Sequence, residues 1–517
     1  MAVSKDKKKS VKKTTSEPAK KLASKKAKKP VSNRKAKSDL KRKLFKRRFN
    51  KFWERKNDTI YTWGFLAVLS AVLAVVVLSA NWISEAEMNA VIDAKNLSID
   101  GIFSSTLINF PFVLLQKISL WIFGITVFGI KLPSLIIAIV CLCVFNSIAK
   151  RWFSLFLANF ASLIFATTAG FLITASSGTP NILYVFYPLA IIFLINQVSV
   201  RPHKSFWFAL LLALVSAFAI YTPFMIYPVG LAMFALIWHP KTRFYIHTTE
   251  KKVYFLGALF AIIICAPIAV GSIFDINLAK TLFLPDWSGE IWSNFFNTMS
   301  NHVLMFRAGV VGASIAPMVN FAVFALMVLG IGQIIKNRYT FRSMLLALWL
   351  IAGVVGVWGN NEIISILIVP AGLTASWGLY YIITRWKRLF PENPYANTIG
   401  FIIVAFICSS IFFTDLDFFM KTTRSSPEFN QSISLALKTL DKADLPGGTN
   451  FIIDEDDENA EFWRMVADNR HLNAEEPEYK LFLTDGTPAR KEGWKISEII
   501  TSTDKRTVFY LLAKPAE

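Results

Sequence analysis

Two glutamates follow the first long apolar run of the chain, in the segment Asn81–Ala90. They are Glu85 and Glu87. A carboxylate can take the proton from a hydroxyl group as that hydroxyl attacks an electrophilic carbon, which is general-base catalysis. An ionised group close to an apolar phase is costly, and this cost favours a chemical role for the pair. The alternative is that both side chains only solvate the start of a helix.

Cationic side chains that could hold an anion occur in the large predicted outer loop Ser272–Ala316, which carries Lys280, His302 and Arg307. Arg307 stands among apolar residues, as a guanidinium that grips a phosphate would. It could equally reach out from a helix end towards water. His302 has no second His or acid at metal-ligand spacing, so the sequence predicts no metal ligands and leaves a divalent-metal requirement open.

These residues must be positioned by membrane helices, because 54% of the chain is apolar and its mean hydropathy is +0.45. The sequence predicts a mainly α fold, a polytopic membrane protein with about eleven transmembrane helices. The predicted spans are Ile60–Ala80, Leu132–Ile148, Ser154–Ile173, Ile182–Val198, Phe206–Tyr221, Phe224–Trp238, Val253–Gly271, Pro317–Ile335, Met344–Trp358, Ile363–Ile383 and Thr398–Thr414.

The positive charges in the gaps between spans predict the orientation, because cytoplasmic loops are enriched in Lys and Arg. Alternate gaps hold fourteen cations, and the opposite gaps hold five. We therefore expect a cytoplasmic N-terminus and an extracytoplasmic C-terminal segment. The fourteen are Lys150, Arg151, Arg201, Lys204, Lys241, Arg243, Lys251, Lys252, Lys336, Arg338, Arg342, Arg385, Lys387 and Arg388; the five are Lys95, Lys117, Lys131, Lys280 and Arg307.

The apolar stretch Ser105–Gly124 is the exception to this scheme, since it is long enough to span but carries Asn109, Gln116 and Lys117. As a twelfth span it would place all fourteen cations outside. We predict one or two helices in the outer membrane interface instead, over about residues 103–125, within a transmembrane domain of residues 58–414.

The two ends of the chain differ in charge. Residues 1–56 hold 24 Lys or Arg and 4 Asp or Glu, which accounts for +20 of the net charge of +21. We predict a disordered cytoplasmic tail over residues 1–57 that binds anionic lipid headgroups, with no specific nucleic acid as partner. Residues 415–517 predict a small exported α/β domain. Its helices are expected at Ser432–Lys442 and Ala460–Ala467, and its strands at Asn450–Asp454, Tyr479–Leu483, Lys495–Ile500 and Thr507–Leu512.

Three short motifs occur in an order that resembles a known family. They are Glu85-Ala86 after the first span, Asn109-Phe110-Pro111 in the interface stretch, and Lys131-Leu132-Pro133-Ser134 at the second span. The series resembles the GT-C superfamily of polyprenyl-phosphate-sugar-dependent glycosyltransferases, of the protein mannosyltransferase and aminoarabinose transferase type. It departs from the family where Ser84 replaces the expected first acid of an Asp-Glu pair. Lys131 likewise stands where the family commonly has Arg, which keeps the charge and loses the bidentate fork.

The resemblance implies transfer of a sugar from a polyprenyl-phosphate carrier to an envelope glycan, lipid or protein on the outer face of the cytoplasmic membrane, with inversion of the anomeric centre. It implies Glu85 as the base, with Glu87 as a helper or alternative. Substrate contacts are then expected from Arg307, Lys280, His302 and Lys131.

Two other classes of function are compatible with parts of the pattern. A non-catalytic envelope scaffold could keep the architecture and lose the missing Asp. A lipid or solute transporter would require ionisable residues in mid-span or paired broken helices, and the predicted spans are almost free of charge.

Overall fold

The structure is a computed structural model of the chain. It describes residues 59–80, 82–97, 107–198, 205–240, 242–244, 251–283, 319–359, 361–390, 394–425, 431–453, 459–473, 477–484, 495–501 and 508–513. The predicted basic tail and the candidate residues His302 and Arg307 lie outside these ranges. Residues 61–517 group into one compact unit.

Long apolar helices dominate the described residues. Six of them are long and apolar enough to cross a membrane, and a bent pair makes a seventh. The prediction of a mainly helical, polytopic membrane protein is therefore confirmed. The long helices are α1 (Thr59–Ser79), α4 (Val127–Trp152), α7 (Leu183–Val198), α10 (Lys251–Phe274), α14 (Ile368–Leu389) and α15 (Pro394–Ser425); the bent pair is α5 (Leu155–Thr167) and α6 (Ala169–Ser176).

The remaining helices before residue 320 are shorter. Two of them, α2 (Glu85–Asn96) and α3 (Phe110–Phe123), lie between α1 and α4 in sequence. At about 1.5 Å per residue, the 14 residues of α3 reach roughly 21 Å, less than the roughly 30 Å of hydrocarbon that a span must cross. The others are α8 (Ser205–Ala219), α9 (Ile226–Trp238) and α11 (Ile276–Phe283).

Three predicted spans differ from the structure. The span predicted at Ser154–Ile173 is broken, because α5 and α6 meet at 61°. Thr168 has ψ 132°, outside the helical range, and its hydroxyl donates to the Phe165 carbonyl (2.9 Å), which interrupts the ladder of backbone hydrogen bonds. The span predicted from Ile363 begins with a 3-10 segment, Asn361–Leu367, before α14. The last predicted span continues past Thr414, so that α15 ends at Ser425.

The closest helix packing joins α12 (Phe321–Lys336) and α14, and α13 (Phe341–Gly359) lies between them in sequence. A Cβ at Gly330 would overlap the Thr374 carbonyl, and one at Gly378 would overlap the Leu326 carbonyl. Lipid tails supply no hydrophobic force between helices, so close backbone approach through small residues is what holds such a pair together.

Basic side chains cap the helix ends at one end of the bundle. Arg151, in the last turn of α4, donates to the Asn196 carbonyl (2.8 Å) and to the Gln197 side chain (2.6 Å) of α7. Arg342, at the start of α13, donates to the Trp152 carbonyl (3.0 Å). These cations, predicted to share one side of the membrane, thus satisfy helix carbonyls that have no partner within their own helix.

The C-terminal part folds as predicted from its patterns, into two helices and a four-stranded sheet. The helices are α16 (Gln431–Lys442) and α17 (Ala460–Asn469); the strands are β1 (Thr449–Ile452), β2 (Tyr479–Thr484), β3 (Lys495–Thr501) and β4 (Val508–Ala513). The strand order is β1-β2-β4-β3, with β1 and β2 parallel and the other pairs antiparallel. On β4 the side chains of Phe509 and Leu511 lie on one face and are buried in the core, and the neighbouring Leu512 is buried as well.

This sheet domain shares a hydrophobic core with the segment that carries the two glutamates. Val91 of α2 and Ile130 of α4 pack in the same cluster as Leu437 of α16 and Val466 of α17. All four side chains are fully buried. The domain therefore fixes the position of α2 directly.

Candidate active site

The start of α2 is held by a capping box formed by Ser84 and Glu87. The Glu87 N–H donates to Ser84 Oγ (3.3 Å), and the Ser84 N–H donates to Glu87 Oε2 (2.8 Å). This reciprocal pair satisfies two amide groups that the first helical turn leaves unpaired. Ser84, which stands where the resemblance expects an acid, thus serves as the N-cap of α2.

The two glutamates have opposite environments. Glu85 is exposed on the first turn of α2, whereas Glu87 is fully buried. Glu87 Oε1 accepts the N–H of Gly178 (2.7 Å), and Oε2 also accepts the Ser84 hydroxyl (3.3 Å). Burial raises the pKa of Glu87; the nearby Lys131 charge and the N–H groups of Gly178 and Ser84 act in the opposite direction. Of the two, only Glu85 can meet a hydroxyl group from solvent.

Lys131 lies beneath this arrangement and is also fully buried. Its ammonium donates to the Ala80 carbonyl (3.0 Å) at the end of α1 and lies 4.0 Å from the centroid of the Trp82 ring. A buried ammonium needs such partners, and the neighbouring Glu87 supplies the opposite charge. Lys131 therefore ties the end of α1 to the start of α4.

The turn between α6 and α7 closes the site from below. Ser134 of α4 donates to the Thr179 carbonyl (3.4 Å), and a Cβ at Gly178 would stand 2.7 Å from the Ile130 carbonyl oxygen. Only glycine fits this position without a shift of backbone. The Lys131–Ser134 motif and the turn thus form a single packed support for Glu87.

The sheet domain brings further charge to the site. Lys438 of α16 is half-buried, and its positive charge repels that of Lys131. Burial lowers the pKa of Lys438, as does the charge of Lys442, while Asp441 acts in the opposite direction. The like charges of Lys438 and Lys131 therefore act on each other, and an anion next to the less buried Lys438 would reduce their repulsion.

Two other contacts dock the domain. Asn469 Oδ1, at the end of α17, accepts the N–H of Ile125 in the α3–α4 turn (3.1 Å). Asp93 of α2 remains exposed, and partial desolvation together with the charge of Glu461 raises its pKa. The domain thus brings an acidic side chain near Asp93, and this opposes the ionisation of Asp93.

Of the predicted site residues, Glu85, Glu87 and Lys131 lie in one place. Lys280 is exposed on α11, which packs by Leu278 and Leu282 against Leu107, just before α3. Among the described residues no group of three or more His, Cys, Asp or Glu side chains could hold a metal ion.

Sequence reasoning missed Gly178 and Lys438. The run Ser177-Gly178-Thr179-Pro180 is typical of a turn. Nothing in it indicates a partner 91 residues earlier.

The fold and site define a class of protein: a multi-pass membrane bundle whose first extramembrane segment, held in place by a docked sheet domain, presents the exposed carboxylate of Glu85. Residues 111–270 match the family model described as dolichyl-phosphate-mannose-protein mannosyltransferase. The resemblance to the GT-C superfamily of membrane glycosyltransferases is thereby confirmed.

Solved structures similar to this chain are also found. ArnT from Cupriavidus metallidurans bound to undecaprenyl phosphate has a TM-score of 0.48 and 12% identity, covering 87% of this chain and 98% of that chain. The Archaeoglobus fulgidus oligosaccharyltransferase tethered with an acceptor peptide has a TM-score of 0.47 and 11% identity, covering 81% of this chain and 69% of that chain. A comparison with curated protein sequences finds no match.

Proposed function

We propose that the protein transfers a sugar from a polyprenyl-phosphate carrier to an acceptor hydroxyl at the membrane surface where α2 lies. The observation that carries this proposal is the exposed Glu85, which lies shortly after the first span and two residues before Glu87 of the buried Lys131–Glu87 support. The family match over residues 111–270 supports the same class of reaction.

Glu85 is the proposed base. Its carboxylate takes the proton of the acceptor hydroxyl while that oxygen attacks the anomeric carbon of the sugar. The bond between that carbon and the phosphate oxygen breaks, and the polyprenyl phosphate leaves with the electron pair. Attack opposite the leaving group inverts the anomeric centre, as the resemblance implies.

Glu87 is proposed as a positioning residue rather than the base. Both of its oxygens already accept hydrogen bonds, and the side chain has no access to solvent. Lys131, expected from the sequence to contact substrate, is proposed to hold Glu87 and the end of α1 in place. Its ammonium is buried under Trp82 and has no path to a lipid phosphate in this arrangement.

Other cations must then stabilise the departing phosphate. Arg307, Lys280 and His302 remain the proposed contacts from the stretch after α10. Lys438 joins them, because α16 brings it beside Lys131 at the site. Each would bind the phosphate through a charge-assisted hydrogen bond, which is stronger than a neutral one.

The orientation is part of the proposal. Arg151 and Arg342, which cap the last turns of α7 and α4, lie at the end of the bundle opposite Lys131, and cytoplasmic ends are rich in such cations. Glu85 and the sheet domain then lie outside the cytoplasmic membrane, facing an envelope glycan, lipid or protein acceptor. The basic tail is proposed to bind anionic headgroups inside.

Transfer of radiolabelled sugar from a panel of polyprenyl-phosphate-sugars by the purified full-length protein tests the function. We expect product with at least one donor. A folded protein that turns over none of them, beside an active relative assayed in parallel, would contradict the proposal and favour the scaffold.

A further inference from the structure

A cavity of about 460 Å³ opens among four helices away from Glu85. Its walls come from the last turn of α7, nearly all of α8 and α9, and the first half of α10. This volume falls within the roughly 300–1,000 Å³ of pockets that enclose a small ligand. The cavity is therefore large enough for part of a hydrocarbon chain.

The walls are almost entirely apolar. Small side chains, among them Ala209, Ala213 and Ala258, leave room on the sides of α8 and α10 that face the cavity, and Leu212 and Met233 supply larger apolar surface. No other part of the chain fills it among the residues that the structure describes. Such a space within a bundle of membrane helices takes an apolar chain.

One end of the cavity has a charged rim. Thr242 and Val253 line this end of the cavity. The rim cations are their neighbours in sequence, Arg243 and Lys252, and both are exposed. This is the end of the bundle at which Arg151 caps α7. The start of α4, with Lys131 and the Glu85 site, is at the other end.

Exposed aromatic residues mark the same level. Trp238 is 69% exposed, Phe244 65% and Tyr254 45%. Aromatic rings of this kind are enriched where a membrane helix passes the headgroups. The rim cations therefore stand at headgroup depth, next to the mouth of an apolar cavity.

We propose that this cavity binds an anionic phospholipid, with one acyl chain between α8, α9 and α10 and the phosphate held by Arg243 and Lys252. Basic pockets between membrane helices bind lipid headgroups by the same combination of charge and apolar space. The proposed sugar carrier is bound at the opposite end, so the two lipids occupy separate sites. The lipid site does not depend on transfer activity.

Native mass spectrometry of the full-length protein in neutral detergent tests this, with phosphatidylglycerol and phosphatidylcholine of identical acyl chains as probes. We expect phosphatidylglycerol to bind more tightly, by a margin that shrinks as salt rises. Arg243→Gln with Lys252→Gln should weaken it about 25-fold, at about five-fold for each cation removed. The matched control, Lys336→Gln with Arg338→Gln, removes two cations that have no cavity-lining residue next to them in sequence, and it should bind as the wild type does.

A second pair of variants tests the cavity itself. Ala258→Phe projects a ring into the lining and should remove the phosphatidylglycerol adduct, whereas Leu259→Phe, at an exposed neighbour that does not line the cavity, should retain it. Equal binding of the two lipids by the wild type would overturn the proposal. So would full binding by the doubly neutralised rim, or displacement of phosphatidylglycerol by polyprenyl phosphate.

Discussion

Replacement of Gly178 by Ala probes the support of the candidate base without touching the base. The added methyl would stand 2.7 Å from both the Ile130 carbonyl oxygen and Ile130 Cγ2, and 3.2 Å from Glu87 Oε1. Since carbon atoms settle at about 3.5–4.0 Å, the turn must withdraw by nearly an ångström. The Gly178 N–H, now 2.7 Å from Oε1, would then move beyond hydrogen-bond distance.

The expected cost is the sum of two losses and one gain. Loss of a hydrogen bond to a charged acceptor costs about 1.5–3 kcal/mol. Overpacking adds about 1–3 kcal/mol, and the smaller freedom of Ala in the unfolded chain returns about 0.4–1 kcal/mol. We therefore expect a net destabilisation of about 2–5 kcal/mol from these terms.

The assay is thermal unfolding of purified protein in one detergent, followed by tryptophan fluorescence at a fixed scan rate because membrane proteins of this size often unfold irreversibly. Gly230→Ala and Gly332→Ala are matched controls, since nothing lies within 4 Å of a Cβ at either helical position. Both should unfold at or slightly above the wild-type temperature. A Gly178→Ala protein that unfolds with the controls would refute the packing of the α6–α7 turn against Glu87.

Three further substitutions probe other contacts. Because the pKa of Asp93 is raised in the folded protein, its protonated form stabilises the fold at a pH below the unfolded pKa of about 4, and this stabilisation is lost as the pH rises through the folded-state pKa. Asp93→Asn should therefore unfold at a higher temperature than wild type at neutral pH. Near pH 3 the two proteins should unfold at the same temperature. Gly378→Leu should part α12 from α14 and lower the yield of folded protein in membranes, whereas Gly332→Leu, in open space, should not. Asn469→Ala should speed amide exchange at Ile125 by removing an acceptor worth about 1–3 kcal/mol, and Asn469→Asp should preserve protection; equal exchange in both variants would contradict that contact.

The sequence predicts most of the local structure. The strands near Tyr479, Lys495 and Thr507 follow from alternation, and all three appear within a residue or two of their predicted bounds. The pairing order β1-β2-β4-β3 depends on contacts between distant strands, so local patterns do not contain it. The bend at Thr168 is likewise invisible to a hydropathy window, because its flanks are uniformly apolar.

The site is only partly readable. Ser84 followed three residues later by Glu87 is a capping-box pattern, and it identifies a helix start. The burial of Glu87 depends on Gly178 and Lys131, which approach it through the tertiary fold. Lys438 reaches the site only because α16 packs against the start of α4, a contact that no spacing within either segment indicates.

The most direct test of the proposed mechanism is the rate of sugar transfer by Glu85→Gln under saturating donor and acceptor, beside the wild type. Loss of general-base catalysis should lower the rate by about 10²–10⁴-fold. Because Glu85 is exposed, the free energy of unfolding should stay within about 0.5 kcal/mol of the wild-type value. A Glu85→Gln protein that transfers sugar at the wild-type rate would contradict the assignment of Glu85 as the base.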